Sequence, residues 1–422
     1  MKIFKAIGKI ILILLVLLIV LPLITVAIPL RGNANGVEAV GDTSIVSKTI
    51  EDDGPYPFIF VHGMMGWGEN ARMNETMPYW GMSHATDLMK HLRAEGNEVY
   101  APSVSPVGSA YDRACELYAQ LTGTRVDYGK AHADKYGHDR YGRDYTGKAL
   151  MGKEWDLETK INLVGHSFGG PTIRVLASLL AYGSTEEVEA TPDDCSELFK
   201  GGHAGCINAV VTLASPSNGT PAANLLDDTY ACFIFAAVMN KLYDEDNPYD
   251  PMMDQWGMRE QINLKNDLRV GLSKDTCGYD MTINGAGVLN KKFPTVPEIY
   301  YISYSADLEG GDADSYKAPS GKNILKPTYV VNKFMTHLVV DGHILGSEWI
   351  PNDGLVPVVS AEYPTGDKHA DYKESMKIER GIWAVTPTTE GQTHGYYCSP
   401  AGDVDTFYQN AEDMIRLVNS LK

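Results

Sequence analysis

Residues 161–171 read INLVGHSFGGP, an apolar run followed by a glycine-rich turn and the start of a second apolar segment. The Gly-x-Ser-x-Gly pattern from Gly165 to Gly169 is typical of a sharp strand-to-helix turn that exposes a serine hydroxyl. Glycines on both sides of Ser167 remove Cβ atoms that would clash there, and Pro171 suits the first turn of a helix. Such a pattern also occurs by chance, but the flanking segments favour Ser167 as a nucleophile.

Other apolar runs predict the strands of the surrounding sheet. Phe58 to Val61 is one short run and ends at His62-Gly63, and two more cover residues 209–213 and 298–304. A helical pattern at 172–180 separates two of them. Strands that alternate with helices predict an α/β fold with a mainly parallel sheet covered by helices on both faces. Sites in such folds form at the carboxyl ends of the strands.

A serine nucleophile needs a base, and the base needs an orienting carboxylate. In this architecture the order along the chain is serine, acid, histidine. His394 is the predicted base, because it lies in a short loop just before a helical pattern at 405–421. The other distant histidines fit packing or solvated positions; they are His337, His343 and His369.

Two aspartates compete for the acid. Asp353 lies on a turn that leads into an apolar run, and Asp307 follows the strand predicted at 298–304. We expect Asp353 to be the acid and keep Asp307 as its rival.

The oxyanion formed during acyl transfer needs two backbone N–H donors. One is expected from Phe168, the residue after the nucleophile. The other is expected from Met64, in the glycine-rich loop His62 to Gly68 that follows the first strand. The alternative for this loop is a simple turn.

The first thirty residues differ from the rest of the chain. Three lysines precede an uncharged apolar run from Ile10 to Leu30, which would span about 31 Å as a helix. The run exceeds the usual length of a secretory signal, so residues 1–31 are predicted to be an uncleaved membrane anchor, with a signal sequence as the alternative. Either one exports the body, and the lysines place the amino terminus inside. Residues 32–55 have the composition of a polar tether, with the folded domain starting near Ser47.

Charge and cysteine content limit the partners and the crosslinks. Lys+Arg 36 against Asp+Glu 54 gives a net charge of -18, which argues against nucleic acid as a partner. No obligate protein partner is predicted. Six cysteines in an exported body could pair, and Cys195 with Cys206 is the first candidate. Cys115 lies in a helical pattern and is predicted to be a buried thiol.

The region between the first strand and the serine carries a second group of polar residues. Asp112, His132 and His138 could bind zinc, but loop histidines at this spacing are more often simply solvated. Spacing alone is weak evidence here.

At this point the chain resembles the zinc-containing bacterial lipases of thermophilic bacilli and their staphylococcal relatives, within the α/β-hydrolase superfamily. The resemblance covers most of residues 56–422, the predicted catalytic domain, with a zinc-region insertion at about 79–150. It is carried by the Ser167 turn and by segments spread along the chain, namely Tyr79-Trp80-Gly81, Tyr111 to Cys115, Val126 to Gly129, Asp254 to Gly257 and Asn352 to Gly354.

The resemblance implies one structural zinc held by Asp112, His132, His138 and Asp254. It also implies a helical lid at about 219–243, whose apolar part from Tyr230 to Leu242 could cover the serine in water. The alternative for this segment is an ordinary buried helix. The family places a glutamate two residues after its catalytic histidine to help bind calcium, whereas this chain has Tyr396. Gly285 matches the calcium site and Asp403 or Asp405 could add oxygens, but the incomplete set puts calcium in doubt.

These features together predict an exported, membrane-anchored or secreted carboxylic ester hydrolase, namely a triacylglycerol lipase acting on lipid esters through an acyl-enzyme. One alternative is a carboxylesterase or thioesterase for short soluble substrates. The other is a non-catalytic surface binding module.

Overall fold

The computed structural model describes residues 34–51, 54–225, 252–256, 273–308, 339–340, 342–400 and 402–421. The apolar segment 1–31, His337 and most of the predicted lid lie outside these residues. Within the described part of the chain, no helix is both long and apolar enough to cross a bilayer.

Short strands occur along the whole described chain. In chain order they are β1 Phe58–Val61, β2 Val99–Tyr100, β3 Arg125–Asp127, β4 Tyr141–Asp144, β5 Ile161–His166, β6 Ile207–Leu213, β7 Tyr300–Tyr304, β8 Ala306–Asp307, β9 Val339–Val340, β10 His343–Ile344, β11 His369–Asp371, β12 Trp383–Val385 and β13 Thr389–Glu390. Seven of them form one sheet in the order β11-β12-β7-β6-β5-β1-β2. Every pairing in this sheet is parallel.

Helices connect and cover these strands. In chain order they are α1 Leu88–Ala94, α2 Ala110–Thr122, α3 Lys130–Tyr136, α4 Gly169–Tyr182, α5 Thr185–Ala190, α6 Pro221–Leu225, α7 Cys277–Asp280, α8 Ile283–Lys292, α9 Val358–Glu362 and α10 Val404–Asn419. Single 3-10 turns occur at Arg72–Glu75, His84–Thr86, Glu197–Phe199, Ala204–Cys206, Asp254–Trp256 and Ser347–Trp349.

The sheet separates two apolar cores. Ile59 and Leu163 point to one face, where they pack with helices α2 and α4. Phe58 and Val164 point to the other face, where they pack with helices α1 and α10. Both faces of these strands are buried, which explains their uninterrupted apolar sequence. The predicted parallel sheet with helices on both faces is confirmed.

A small antiparallel pair stands beside this sheet, in the region predicted as the zinc-region insertion. Strands β3 and β4 pair with each other, and helix α3 lies between them in sequence. The outer bounds of the insertion and of the catalytic domain stay predictions.

The segment predicted as a tether is partly bound to the body. The Asp42 amide donates to the Tyr182 carbonyl at 3.0 Å, and the Lys48 amide donates to the Gly202 carbonyl at 3.3 Å. The side chains of Val40 and Ile50 pack against the core. Residues 40–50 are therefore part of the folded body, because their few apolar side chains anchor an otherwise polar segment.

The cysteines differ from one expectation and agree with another. Cys195 and Cys206 are both free thiols, so the expected disulfide between them is wrong. Cys206 is fully buried at the end of the 3-10 turn that directly precedes β6, and it packs in the core rather than in an open loop. Cys115 is 1% exposed, which confirms it as a buried thiol.

Candidate active site and metal centre

The proposed nucleophile lies in a tight turn between β5 and α4. Ser167 has a φ of 54°, a conformation that L-residues rarely adopt and that occurs where the surrounding structure enforces it. Its amide donates to the Leu213 carbonyl at 2.9 Å, which fixes the turn to strand β6. A Cβ atom on Gly165 would lie 2.5 Å from the carbonyl carbon of Gly169, so glycine is needed there.

The predicted acid and base are hydrogen-bonded to each other. Asp353 Oδ2 lies 2.8 Å from His394 Nδ1. The other carboxylate oxygen, Oδ1, accepts from the amides of Leu355 and Val356 at 2.9 and 2.7 Å. The carboxylate is 1% exposed and held on both oxygens, so it can orient the imidazole and stabilise its protonated form.

His166 brings the histidine loop to the nucleophile. It precedes Ser167 in the chain, and its Nε2 donates to the His394 carbonyl at 2.8 Å. Among the described residues, Ser167 Oγ makes no hydrogen bond to the His394 ring. Such a bond often tightens only in the reacting complex, so this third contact of the triad stays a prediction. The residue pattern gave no reason to single out His166.

The loop after β1 packs directly against the serine. A Cβ atom on Gly63 would lie 2.6 Å from Ser167 Cβ, so the loop approaches the nucleophile as closely as glycine allows. The Gly63 amide donates to the Tyr79 hydroxyl at 3.0 Å. Within the described part of the chain, the amides of Met64 and Phe168 have no protein acceptor. This arrangement leaves both predicted oxyanion donors available.

The rival residues lie elsewhere or have other partners. His343 is exposed, with Nε2 3.3 Å from Asn284 Oδ1. His369 is exposed and stacks on Tyr363, with ring centroids 3.7 Å apart. Asp307 accepts from the Asn352 amide at 3.3 Å, and it is Asp353 that holds His394.

Three of the four predicted metal ligands meet in one cluster. Asp112, His132, His138 and Asp275 each offer a ligand atom, and these atoms lie within 4.8 Å of one another. Asp112 and Asp275 are almost fully buried, and the His132 side chain is 11% exposed. This is a group that could hold a metal ion.

The fourth predicted ligand, Asp254, is replaced in this cluster by Asp275. The carboxylate of Asp254 faces Arg143, with Oδ2 3.0 Å from the arginine Nε. Its neighbour Gln255 does reach the cluster and donates to Asp112 Oδ2 at 2.7 Å. Asp254 therefore lies in the expected region, but its carboxylate faces Arg143, and the structure brings Asp275 to the cluster instead.

The distances within the cluster fit a small tetrahedral ion. His132 Nε2 lies 3.0 Å from Asp112 Oδ1 and 3.2 Å from Asp275 Oδ2. His138 Nε2 also lies 3.2 Å from Asp275 Oδ2, but it is buried and has no partner in hydrogen-bond geometry. Ligands about 2.0 Å from a tetrahedral ion are about 3.3 Å apart. Two carboxylates and two imidazoles would also balance a divalent charge.

The residues considered for calcium have structural roles. The Asp403 carboxylate caps helix α10 by accepting from the Thr406 amide at 3.1 Å. The Tyr396 hydroxyl accepts from Asn410 Nδ2 at 2.7 Å. Gly285 lies within α8, where a Cβ would be 1.9 Å from the Tyr279 carbonyl oxygen.

The parallel sheet, the strained serine after β5 and the Asp353–His394 pair define an α/β-hydrolase. Comparison with known proteins places it more narrowly. Residues 54–419 match the family described as "Lipase-like, C-terminal domain", and the chain belongs to that family.

Relatives and solved structures agree with this assignment. The chain is 36% identical over 354 residues to a lipase of Staphylococcus epidermidis, covering 80% of this chain and 49% of the relative. It is 34% identical over 396 residues to lipase 1 of Staphylococcus aureus, covering 90% of this chain and 55% of the relative. It therefore spans about half the length of these curated relatives.

Among solved structures, the crystal structure of Staphylococcus hyicus lipase matches with a TM-score of 0.71 and 31% identity, covering 88% of this chain and 98% of that one. Lipase 1 from Pelosinus fermentans matches with a TM-score of 0.69 and 31% identity, covering 87% of this chain and 99% of that one.

Proposed function

We propose that this protein hydrolyses carboxylic ester bonds in lipids, as a triacylglycerol lipase that works through an acyl-enzyme. The observation that carries the proposal is the 2.8 Å contact between Asp353 and His394. His166 brings this pair to the strained Ser167. The family and its lipase relatives support the choice of a lipid ester over other acyl compounds.

In the proposed mechanism, His394 accepts the Ser167 proton as the hydroxyl attacks the ester carbonyl. Asp353 keeps the imidazole oriented and stabilises its positive charge. The amides of Met64 and Phe168 donate to the oxyanion of the tetrahedral intermediate. His394 then protonates the leaving alcohol, and water attacks the acyl-enzyme with His394 again acting as base.

The metal in this proposal is zinc, held by Asp112, His132, His138 and Asp275. Zinc there would supply structural cross-linking between α2, α3 and the segment before α7. We assign it no catalytic step, because the reacting groups are Ser167 and His394.

The proposed location is outside the cytoplasm, either anchored through residues 1–31 or secreted. The support is the sequence of the lysine-flanked apolar segment. Mass spectrometry of the mature amino terminus distinguishes the two, since a start beyond Arg31 contradicts the anchor.

The test is a chain-length series of p-nitrophenyl esters and emulsified triacylglycerols, run on the wild type and on Ser167→Ala. We expect hydrolysis of long-chain esters and a loss of at least about 10³-fold in kcat for the variant. Activity confined to short soluble esters or thioesters would indicate a carboxylesterase or thioesterase instead.

A fluorophosphonate probe tests the non-catalytic alternative. The wild type should be labelled at Ser167, and the Ser167→Ala variant should not. An unlabelled wild type with intact fold would indicate a binding module.

A further inference from the structure

Arg113 is a fully buried arginine that the proposed mechanism does not use. It follows Asp112 in helix α2 and is 0% exposed. Its Nη2 donates to the His62 carbonyl at 2.5 Å, and its Nη1 makes a long contact of 3.5 Å with the Gly63 carbonyl. These two carbonyls belong to the residues directly before Met64, so the guanidinium holds the loop that carries one proposed oxyanion donor.

The same guanidinium contacts the second proposed donor. Its Cζ lies 5.1 Å from the centroid of the Phe168 ring, within the range of a cation–π interaction. Phe168 is itself fully buried. The buried guanidinium of Arg113 therefore contacts both segments whose amides would face the oxyanion. The position of this guanidinium would set the distance between the Met64 and Phe168 amides.

Arg113 and the metal cluster share helix α2. Asp112 is its neighbour in α2 and lies 3.0 Å from His132 in that cluster. The helix begins beside it, with Ser109 Oγ accepting from the Asp112 amide at 3.1 Å. Asp112 and Asp275 both lie close to His132 Nε2, so a metal ion bound there would hold α2 against the segment before α7. A shift of Asp112 would move Arg113, because adjacent residues of a helix turn move together.

We propose that Arg113 is a positioning residue that couples metal binding at Asp112 to the geometry of the oxyanion site. The inference rests on the proposed function, since it needs Met64 and Phe168 to be the oxyanion donors. Metal binding fixes α2, and α2 places the guanidinium against the His62 and Gly63 carbonyls and the Phe168 ring. Coupling between two binding sites is reciprocal, so filling the oxyanion site must tighten metal binding by the same factor.

The experiment measures Zn²⁺ affinity rather than turnover. Diethyl p-nitrophenyl phosphate phosphorylates a reactive serine and leaves a phosphoryl oxygen in the oxyanion position. Zinc Kd is measured by competition with a chromogenic chelator, on the untreated full chain and on the chain shown by mass spectrometry to be modified at Ser167. We expect the modified protein to bind Zn²⁺ more tightly by about 5- to 150-fold.

Two variants test whether the coupling depends on Arg113 in particular or on any buried arginine. Arg113→Lys keeps the charge but loses the forked contact with two carbonyls, so its zinc Kd should be the same with and without the adduct. Arg174→Lys is the matched control. Arg174 is also buried, donates to Asn290 Oδ1 at 2.9 Å and lies 5.9 Å from the Trp383 ring centroid, in contact with another part of the core. This control should keep the full coupling.

A second measurement tests the geometry of the oxyanion site itself. A trifluoromethyl ketone binds as an oxyanion mimic. Arg113→Lys should therefore raise its Ki by at least about 10-fold, while the KM for substrate changes little. Arg174→Lys should leave this ratio unchanged.

The outcomes are distinct. If Ser167 is not modified, the proposed function fails and the inference fails with it. If Ser167 is modified but the wild-type zinc Kd does not change, the coupling alone is wrong. If Arg113→Lys retains the coupling, Arg113 is not the link. Should Arg113→Lys fail to fold, the wild-type comparison still decides whether the two sites are coupled.

Discussion

His166 Nε2 donates a hydrogen bond to the carbonyl oxygen of His394 at 2.8 Å. A carbonyl can only accept, so Nε2 carries the proton and the other nitrogen, Nδ1, accepts from the Tyr79 hydroxyl at 2.6 Å. That hydroxyl accepts in turn from the Gly63 amide. A chain of three hydrogen bonds therefore connects the proposed oxyanion loop to the proposed catalytic histidine.

Removing the central hydroxyl should damage both ends of this chain. Tyr79→Phe leaves the Gly63 amide and His166 Nδ1 buried without their partner, at a cost of about 1–3 kcal/mol for each unsatisfied group. We expect a lower free energy of unfolding in urea and a kcat reduced by at least about 10-fold with little change in KM. Tyr118→Phe is the control, because Tyr118 is also buried but its hydroxyl makes no hydrogen bond among the described residues. An equal loss of kcat in the control would show a general packing effect.

Because His166 is buried in its neutral form, we expect the free energy of unfolding to fall at acid pH. Burial lowers the pKa of His166 to about 3, from an ordinary value of 6.5. Well above pH 6.5, this residue is unprotonated in both the folded and the unfolded protein. As the pH falls from 6.5 towards 3, the unfolded chain binds a proton that the folded protein does not, so stability falls by up to about 1.4 kcal/mol per pH unit.

The variant His166→Gln tests this slope. It retains a donor for the His394 carbonyl and cannot titrate, so its free energy of unfolding should fall less steeply between pH 6 and pH 4 than that of the wild type. Urea unfolding at several pH values measures both slopes. The exposed His369→Gln is the control and should match the wild type. Parallel slopes for His166→Gln and the wild type would contradict the prediction.

The assignment of the acid can be tested against its rival. Asp353→Asn keeps the size of the side chain but cannot stabilise a protonated His394, so kcat should fall by about 10⁴-fold. Asp307→Asn should leave kcat within a few-fold of the wild type, because Asp307 binds the Asn352 amide rather than the imidazole. Initial rates on one p-nitrophenyl ester compare the two variants, and a larger loss for Asp307→Asn would reverse the assignment.

The sequence predicted those strands and turns whose residues are neighbours in the chain. The strands before His62 and Gly165 are uninterrupted apolar runs that end in a turn, and the structure has them as β1 and β5. Contacts between distant segments had no such signal. Nothing near Arg113 indicates that it reaches the His62 carbonyl, 51 positions away. The prediction of a Cys195–Cys206 disulfide was wrong for the same reason, because the loop-like composition of that region did not reveal that Cys206 is buried.

The choice of the fourth metal ligand shows where a family resemblance stops being informative, since it implied Asp254 whereas the structure brings Asp275 to the cluster. The segment 254–257 does lie at the cluster, because Gln255 binds Asp112 and the Trp256 ring centroid lies 5.0 Å from that of His138. Which aspartate turns towards the histidines depends on side-chain direction, and that depends on Arg143, which lies 111 positions before Asp254. Sequence spacing could not distinguish Asp254 from Asp275.

Paired variants can decide between these two aspartates. Asp275→Asn removes an anionic ligand, so the purified protein should hold much less zinc than one ion per chain and should unfold at a lower temperature. Asp254→Asn removes a carboxylate that faces Arg143 rather than the cluster, so this variant should keep the metal. Elemental analysis and calorimetry, each with and without added Zn²⁺, measure both effects. Added Zn²⁺ should raise the Tm of wild type and Asp254→Asn but not that of Asp275→Asn, and the reverse pattern would restore Asp254 as the ligand.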